Sequence, residues 1–199
     1  MNIDTNKQTK YALLSVYDKQ GIKEIASALQ NAGYTIMATS GTGRALIKAG
    51  ISYKHASKMT GNPPILTDCI QTLSFKLEGG ILFNRHNERH LSEVKQEGLP
   101  RIDVVVCNFT DISETIKRPD DFNIQHVDLG GPLMVRSACI NYKDVLVIVR
   151  PDDYKITIDA LGSDTVDEDF RYKMAIKGLT ATFAYDETLV NYLRQNPRR

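Results

Sequence analysis

An α/β fold is indicated by residues 11–43, which read YALLSVYDKQGIKEIASALQNAGYTIMATSGTG. Two short apolar runs, at 11–16 and 34–38, are typical of buried parallel strands. Apolar side chains at helical spacing, from Ile22 to Leu29, lie between the two runs. A strand, a helix and a second strand in this order predict a parallel sheet with a right-handed crossover.

The rest of the chain extends this alternation without an internal repeat or a Pro/Gly/Ser-rich linker. We therefore predict one α/β domain over residues 1–199, a three-layer and mostly parallel sheet with a C-terminal helical extension. The segment that includes Thr60–Pro64 is predicted to be rich in loops. Further predicted elements are helices at 44–48, 89–96, 132–140 and 170–193, a helix start at Pro151, and strands at 103–108 and 145–149.

Composition excludes several classes of partner and location. The 199 residues carry a formal net charge of +1, so nothing indicates binding to nucleic acid or to an anionic membrane. No apolar run approaches the ~20 residues that span a bilayer, and the polar N-terminus lacks the apolar core of a signal peptide. The sequence therefore predicts a cytoplasmic protein, and its three cysteines are expected to be reduced thiols.

A zinc site is not favoured either. His86 and His90 have the spacing of a zinc-protease helix, but Glu88 lies one position too late for that motif. The cysteines include no C-x-x-C pair. A solvated helix face is the better interpretation of the two histidines, and no metal ligand is predicted.

Ligands of open α/β sheets collect at the carboxyl ends of the strands. Four polar loops are predicted there, after strands that end near Val16, Ala38, Asn108 and Val127. The sequence therefore places a candidate binding site across these loops.

The first two loops have the composition of a phosphate site. Ser15 and Lys19 flank the start of one helix, and the loop at residues 39–42 (TSGT) precedes the next. Free backbone N–H groups at a helix start attract anions, and a small Gly/Ser/Thr loop lets them close around phosphate oxygens. Two ordinary helix N-caps would have the same composition. Composition alone therefore does not distinguish a phosphate site from two N-caps.

Several segments resemble the IMP cyclohydrolase domain of the bifunctional purine-biosynthesis enzyme. Residues 15–21 (SVYDKQG) and 38–44 (ATSGTGR) are similar to its S-V-S-D-K-T-G and S-T-G-G-T-A-R. Residues 69–82 (CIQTLSFKLEGGIL) are similar to its R-V-K-T-L-H-P-K-V-H-G-G-I-L. Residues 128–144 (DLGGPLMVRSACINYKD) are similar to its D-I-G-G-P-T-M-V-R-S-A-A-K-N-H-K-D. Matching blocks run in order from residue 11 to residue 154.

The resemblance implies a methylglyoxal-synthase-like fold and a ring-closing loss of water from a formylated carboxamide ribotide, with no metal and no cofactor. It implies phosphate binding by Ser15, Lys19, Thr39, Ser40, Gly41 and Thr42. It places Thr72, Asn108, Gly130 and Gly131 around the base and ribose, and Asp128, Gln71, Thr110 and Asn141 at catalytic positions.

The departures from the family pattern lie in the part of the expected site that faces the purine base of the ligand. Ile140 and Gln71 occupy the positions of two family lysines, and Thr110 occupies that of a tyrosine. We expect Ile140 to place an apolar group against Asp128, and the lost cation to raise the pKa of that carboxyl. Three lost donors or proton carriers predict that the family reaction is slow or absent.

Three hypotheses follow from this pattern. The chain is an enzyme with a divergent cyclisation, dehydration or hydrolysis on a related ribotide; a catalytically silent nucleotide-binding module; or an authentic cyclohydrolase whose catalytic groups have moved, for example to Lys76 or Lys143. The chain ends where the family's formyltransferase domain would begin. The resemblance also implies a homodimer.

Overall fold

The computed structural model describes residues 8–62, 70–110 and 127–195. It has one five-stranded sheet in the order β3-β2-β1-β4-β5, and every neighbouring pair is parallel. The strands are β1 (Lys10–Val16), β2 (Thr35–Ala38), β3 (Lys54–His55), β4 (Arg101–Asn108) and β5 (Leu146–Ile148). The predicted parallel α/β fold is confirmed.

Helices cover both faces of the sheet, as the near-continuous apolar strands require. The helices are α1 (Ile22–Asn31), α2 (Ser40–Lys48), α3 (Ala56–Thr60), α4 (Phe75–Leu82), α5 (Glu88–Glu97), α6 (Gly130–Ile140), α7 (Tyr154–Gly162, after a 3-10 turn at Pro151–Asp153) and α8 (Glu168–Gln195). One core cluster joins α4, α6 and α8 to the sheet through Leu77, Met134 and Ala175. The opposite cluster joins α1 and α2 through Ile25 and Leu46.

Helix α2 begins at Ser40, four residues before the predicted start at Arg44. Thr39 has extended backbone angles (φ −73°, ψ 164°), and its carbonyl accepts the first intrahelical hydrogen bond from Gly43 N–H at 2.8 Å. The glycines at 41 and 43 indicated a loop in the sequence. In the structure they belong to the first turn, so the expected phosphate loop is the start of a helix.

Helix α4 lies where only loops were predicted. Ser74 caps it by accepting a hydrogen bond from Lys76 N–H at 3.2 Å. Two glycines in its interior lower the intrinsic helix propensity, which hides the helix in the sequence. A Cβ at Gly80 would lie 2.4 Å from the Pro100 carbonyl oxygen, so the close packing of α4 beside β4 requires glycine there.

The fourth predicted strand, which would end near Val127, falls on residues outside the described ranges, and Val127 itself lies in a bend. The two residues of β3, by contrast, were not predicted, because a two-residue strand has no periodicity to detect. No helix in the described part of the chain has the length and apolar character needed to cross a bilayer.

A buried carboxyl group joins α4 to α6. Ser137 Oγ donates a hydrogen bond to Glu78 Oε2 at 2.5 Å, while Glu78 Oε1 is buried without a partner among the described residues. Burial raises the pKa of Glu78, and the hydrogen bond from Ser137 opposes this in part. The folded protein therefore holds this proton more tightly than the unfolded chain. The free energy of unfolding falls as pH rises from the pKa of Glu78 in the unfolded chain to its higher pKa in the folded protein.

We expect Glu78→Gln to raise the free energy of unfolding at neutral pH by about 1 kcal/mol, because the variant removes a buried charge that lacks full hydrogen bonding. Urea unfolding near pH 7 and again at about pH 4, below the unfolded-state pKa, measures the effect. The gain should shrink at the acidic pH, where wild-type Glu78 is already protonated. Glu97→Gln, on the exposed end of α5, is the matched control. An equal gain at both pH values would contradict the role of the charge.

Candidate functional site

The carboxyl ends of β1, β2 and β4 meet at one edge of the sheet. Leu14 is in register with Ala38, and Val16 is in register with Asn108. The loops after these strands therefore converge, as predicted for ligand sites in this class of fold. Two of them lead directly into α1 and α2.

The start of α2 presents free backbone donors. Gly43 N–H makes the first intrahelical hydrogen bond, so the N–H groups of Ser40, Gly41 and Thr42 precede it and have no intrahelical acceptor. Beside them, Thr39 Oγ1 donates to Ser15 Oγ at 3.3 Å, which places these two hydroxyls together. Three N–H groups, two hydroxyls and the positive end of the helix dipole suit an anion.

Two cations lie at the same edge. Lys19 Nζ donates to the carbonyls of Val16 and Tyr17, the latter at 2.8 Å, which holds the ammonium at the end of β1. Burial lowers the pKa of Lys19, the Asp18 charge raises it, and the Arg44 charge lowers it again. Arg44 Nη2 also lies 3.9 Å from the point where a Cβ on Gly41 would be. Arg44 was not predicted as a site residue, because its position indicated only the start of a helix.

Thr42 does not present its hydroxyl to a ligand. Its side chain is buried, accepts a hydrogen bond from Val16 N–H at 2.9 Å and donates to the Val16 carbonyl at 3.3 Å. The hydroxyl therefore fastens α2 to the end of β1. The contribution of Thr42 to the site is therefore its backbone N–H, which has no intrahelical acceptor.

Asn108 shapes the site and was expected to contact the base or ribose. Its Oδ1 accepts hydrogen bonds from Tyr17 N–H at 2.5 Å and Asp18 N–H at 2.8 Å, and its Nδ2 donates to the Asp18 carbonyl at 3.1 Å. This side chain pins the loop that carries Lys19 to the end of β4. Its observed role is to hold that loop in place.

The segment at residues 70–74 lies against the start of α2. Asn62 Nδ2 fixes this segment through the carbonyls of Ile70 and Leu73, at 3.1 and 3.0 Å. Gln71 is buried, and its Nε2 donates to Ser40 Oγ at 3.1 Å. The sequence predicted that Gln71 lies beside the purine base of the ligand. In the structure Gln71 lies instead beside the start of α2, where the phosphate was expected.

Gly130 is required by the close approach of Thr72. A Cβ at Gly130 would lie 1.8 Å from Thr72 Oγ1. The start of α6 therefore rests directly on the segment at 70–74, and the expected contact of Thr72, Gly130 and Gly131 with the base and ribose stays a prediction. Thr110 is half-buried, two residues beyond the end of β4.

Asp128 lies just before α6. Its Oδ1 accepts a hydrogen bond from Gly131 N–H at 2.8 Å, and its backbone N–H donates to Tyr185 Oη at 2.7 Å. Burial raises the pKa of the Asp128 carboxyl, while the Gly131 hydrogen bond lowers it. The cause of this rise within the chain is burial, and the expected effect of the missing lysine stays a prediction. A carboxyl group with a raised pKa is a candidate general acid or base.

Tyr185 reaches this site from the long helix α8 and was not predicted. Burial is the main cause that raises the pKa of Tyr185 to about 12. Its ring packs 5.2 Å from that of Phe109, measured between centroids, which ties α8 to the end of β4. Because the Tyr185 oxygen accepts the Asp128 N–H, its own proton is left to donate elsewhere.

The expected contact between Ile140 and Asp128 is wrong within this chain. Ile140 is the last residue of α6 and is 68% exposed. Asp128 precedes the first turn of the same helix, and ten residues at about 1.5 Å each separate its two ends by roughly 15 Å. A residue at the far end of a straight helix cannot contact a group at its start.

Two other expected positions lie away from this edge. Asn141 is the C-cap of α6, and its Nδ2 donates to the carbonyls of Ile81 and Phe83 at 2.7 and 3.3 Å. The structure therefore uses Asn141 to join α6 to α4 and does not bring it to the site. Lys143 lies just before β5, on the amino side of the sheet, so it cannot replace a catalytic lysine here.

His55 also lies at this site and was not predicted from the sequence. Its Nε2 lies 3.1 Å from Ser40 Oγ, and its Nδ1 accepts a hydrogen bond from Ser57 N–H at 3.2 Å. Only the parallel pairing of β2 with β3 brings residue 55 to the start of α2. Within the described ranges, no three His, Cys, Asp or Glu side chains cluster in a way that could hold a metal ion.

Comparison with known proteins finds two matching family models and one similar solved structure. Residues 21–128 match the model of the MGS-like domain, and residues 138–199 match that of the AICARFT/IMPCHase bienzyme. The crystal structure of ForH is similar over 96% of this chain and 100% of that chain, with 31% identity and a TM-score of 0.85.

Bacterial proteins named "Bifunctional purine biosynthesis protein PurH" are similar over nearly the whole chain. The protein of Oceanobacillus iheyensis is 38% identical over 187 residues, which are 92% of this chain and 37% of that protein. The protein of Staphylococcus carnosus is 38% identical over 190 residues, which are 94% of this chain and 39% of that protein. The chain thus spans less than two fifths of the length of these relatives.

Proposed function

Because this chain belongs to the MGS-like domain family and is homologous to part of the bifunctional enzyme PurH, we propose that it has an IMP-cyclohydrolase-like function. The ligand is a purine-type ribonucleoside 5′-monophosphate, bound at the carboxyl ends of β1, β2 and β4. The reaction is a divergent cyclisation, dehydration or hydrolysis on a carboxamide ribotide.

The observation that carries this proposal is the set of donors around the start of α2. Free N–H groups at Ser40, Gly41 and Thr42 lie beside the Ser15 and Thr39 hydroxyls. Lys19 and Arg44 add positive charge, and N–H groups with adjacent cations form the preferred site for a phosphate. The ordinary N-cap interpretation explains one hydroxyl at a helix start, but neither cation.

The base side of the ribotide extends toward Asp128 in this proposal. Ring closure requires a group that takes a proton, a group that gives one, and donors for the developing oxyanion. Asp128 supplies a carboxyl with a raised pKa, and Tyr185 supplies an adjacent hydroxyl proton. Thr110 and Thr72 are further hydroxyls on the segments near Asp128. The neutral Gln71 amide cannot transfer a proton at neutral pH.

A catalytically silent binding module is the second candidate function. Two observations favour it. Asp128 Oδ1 is occupied as the acceptor for Gly131 N–H, and the Gln71 amide, at the position of a family lysine, is bound to Ser40. Both groups therefore have structural roles that need no reaction. In this case the ribotide binds and is released unchanged.

Calorimetric titration with IMP, XMP and AICAR tests the proposal. Micromolar binding of at least one of these ribotides is expected. Incubation of the protein with formylated AICAR, followed by chromatography, then separates the candidates, because a divergent enzyme produces a new product and a silent module produces none. Absence of binding for all three ribotides would overturn both candidates.

We also propose that two copies of the chain associate through α8. Tyr172, Ile176, Leu179 and Phe183 are all exposed and recur at intervals of three or four residues, which places them in one stripe of the helix. Stable interfaces bury contiguous apolar surface of this kind, and an exposed stripe on a monomer would favour aggregation.

A dimer mass by light scattering is therefore expected for the wild-type protein. Ile176→Glu combined with Phe183→Glu should shift the mass to that of a monomer, because two charges would be buried in the interface. Ala184→Glu is the matched control, since Ala184 is exposed about 100° around the helix from Phe183 and off the stripe. A monomeric wild type, or a double variant that remains dimeric, would contradict the assignment.

A further inference from the structure

Ser40 has two side chains from distant segments bound to its hydroxyl. His55 Nε2 lies 3.1 Å from Ser40 Oγ, and Gln71 Nε2 lies 3.1 Å from the same atom. His55 comes from the edge strand β3, and Gln71 from the segment before α4. Ser40 is itself the first residue of α2, where the phosphate is proposed to bind.

The proton position on His55 follows from its second nitrogen. Ser57 N–H points at His55 Nδ1 at 3.2 Å, and a backbone N–H can only donate. Nδ1 is therefore an acceptor without a proton, so the neutral ring carries its proton on Nε2. Ser57 Oγ, 2.7 Å from the same nitrogen, can donate there as well. It follows that His55 Nε2–H donates to Ser40 Oγ.

The direction of the Ser40 hydroxyl follows in turn. A hydroxyl oxygen has two lone pairs and one proton. His55 Nε2–H and Gln71 Nε2–H occupy the two lone pairs, so the proton of Ser40 is left to donate. The free N–H groups of Gly41 and Thr42 are its neighbours on the same helical turn, and they require an acceptor too.

We propose that His55 is a positioning residue that, with Gln71, fixes the Ser40 hydroxyl as a hydrogen-bond donor to the phosphate of the bound ribotide. This inference rests on the proposed function. It also gives Gln71 a purpose: a neutral amide at this position orients a hydroxyl. The same geometry excludes a Ser–His nucleophile, because a histidine whose Nε2 carries the proton cannot accept the proton of Ser40.

The test compares IMP with inosine, which lacks the phosphate, by calorimetry. Ser40→Ala and His55→Ala should each weaken IMP binding about five- to tenfold, the effect of one hydrogen bond, and leave inosine unchanged. In the Ser40→Ala background, the further change His55→Ala should have no effect, because His55 acts only through that hydroxyl. His86→Ala, an exposed histidine outside the site, is the control.

Two substitutions of His55 separate its two hydrogen bonds. His55→Gln can place an amide N–H near the position of Nε2 and should restore most of the affinity for IMP. His55→Asn can keep an acceptor for Ser57 N–H, but is too short to reach Ser40, and should behave like His55→Ala. A purely structural role at the start of α3 predicts the opposite order.

Five results would overturn the proposal. The first is equal loss of affinity for IMP and inosine in His55→Ala, and the second is additive effects of the Ser40 and His55 substitutions. The third is an NMR spectrum that places the proton of neutral His55 on Nδ1. A wild-type protein that binds neither IMP nor inorganic phosphate would overturn the proposed function together with this inference, whereas unchanged binding in Ser40→Ala would overturn this inference alone.

Discussion

Lys19→Ala is expected to weaken IMP binding by about 10- to 100-fold, the effect of a lost hydrogen bond to a charged group. Lys19 Nζ is held at the end of β1 by the carbonyls of Val16 and Tyr17, with one N–H left for a ligand. The ammonium is partly buried, and burial lowers its pKa. A phosphate would therefore gain a cation that is already partly desolvated and already positioned.

Two further variants distinguish charge from loop structure. Lys19→Gln retains donors for the carbonyl groups but removes the charge, so it should bind IMP nearly as weakly as Lys19→Ala. Lys23→Ala, which replaces an exposed lysine in the first turn of α1, should bind like the wild type. Raising the salt concentration should weaken IMP binding more in the wild type than in Lys19→Gln. Salt screens the attraction between the Lys19 ammonium and the phosphate, which the variant lacks. Equal affinity for IMP in Lys19→Ala and the wild type, measured by calorimetry, would contradict the proposal that Lys19 binds the phosphate.

Formation of IMP from the formylated carboxamide ribotide is expected to be at least 100-fold slower than in the bifunctional relatives. Each missing electrostatic donor typically reduces the rate by about 10²–10³, and such losses do not simply multiply. Gln71, at the position of a family lysine, is bound to Ser40, and Thr110 stands at the position of a family tyrosine. The measurement is IMP absorbance under identical conditions for this chain and the Staphylococcus carnosus protein. A comparable rate would refute the expectation and favour an authentic cyclohydrolase.

Asp128→Asn tests whether the remaining turnover depends on Asp128. An asparagine oxygen can still accept the hydrogen bond from Gly131 N–H, so the start of α6 should be preserved. We expect turnover to be abolished and IMP affinity to stay close to that of the wild type. If Asp128 acts as the base, wild-type turnover should fall as pH decreases through its raised pKa, above the range of an ordinary aspartate. Turnover in Asp128→Asn equal to that of the wild type would exclude this role.

Prediction from sequence succeeded for elements whose hydrophobic pattern is complete within one short segment. Two apolar runs separated by a helical repeat were sufficient for a parallel sheet, and β1, α1 and β2 lie within a residue or two of their predicted bounds. Ser15, Lys19 and Thr39 could be selected because a carboxyl strand end followed by a helix start is recognisable along the chain. Helix α4 was missed because the packing that requires Gly80 involves Pro100, twenty residues away.

The errors at the candidate site have a common cause, which is the distance between positions in sequence and in space. Ile140 was expected against Asp128 because both belong to one motif, yet the length of α6 separates them. Thr42 was expected to contact phosphate because of its hydroxyl, yet hydrogen bonds to Val16 orient that hydroxyl into the protein. Local patterns give the type of residue, and they do not give the direction of its side chain.

The sequence by itself determined the class of fold and the departures from the family pattern at Gln71, Thr110 and Ile140. Only the tertiary structure decided which side chains meet there. Strand pairing brought His55 to Ser40, and helix packing brought Tyr185 to Asp128. These contacts depend on segments far apart in the chain, and the hydrogen-bond partners of a hydroxyl or carboxyl are set only when those segments pack.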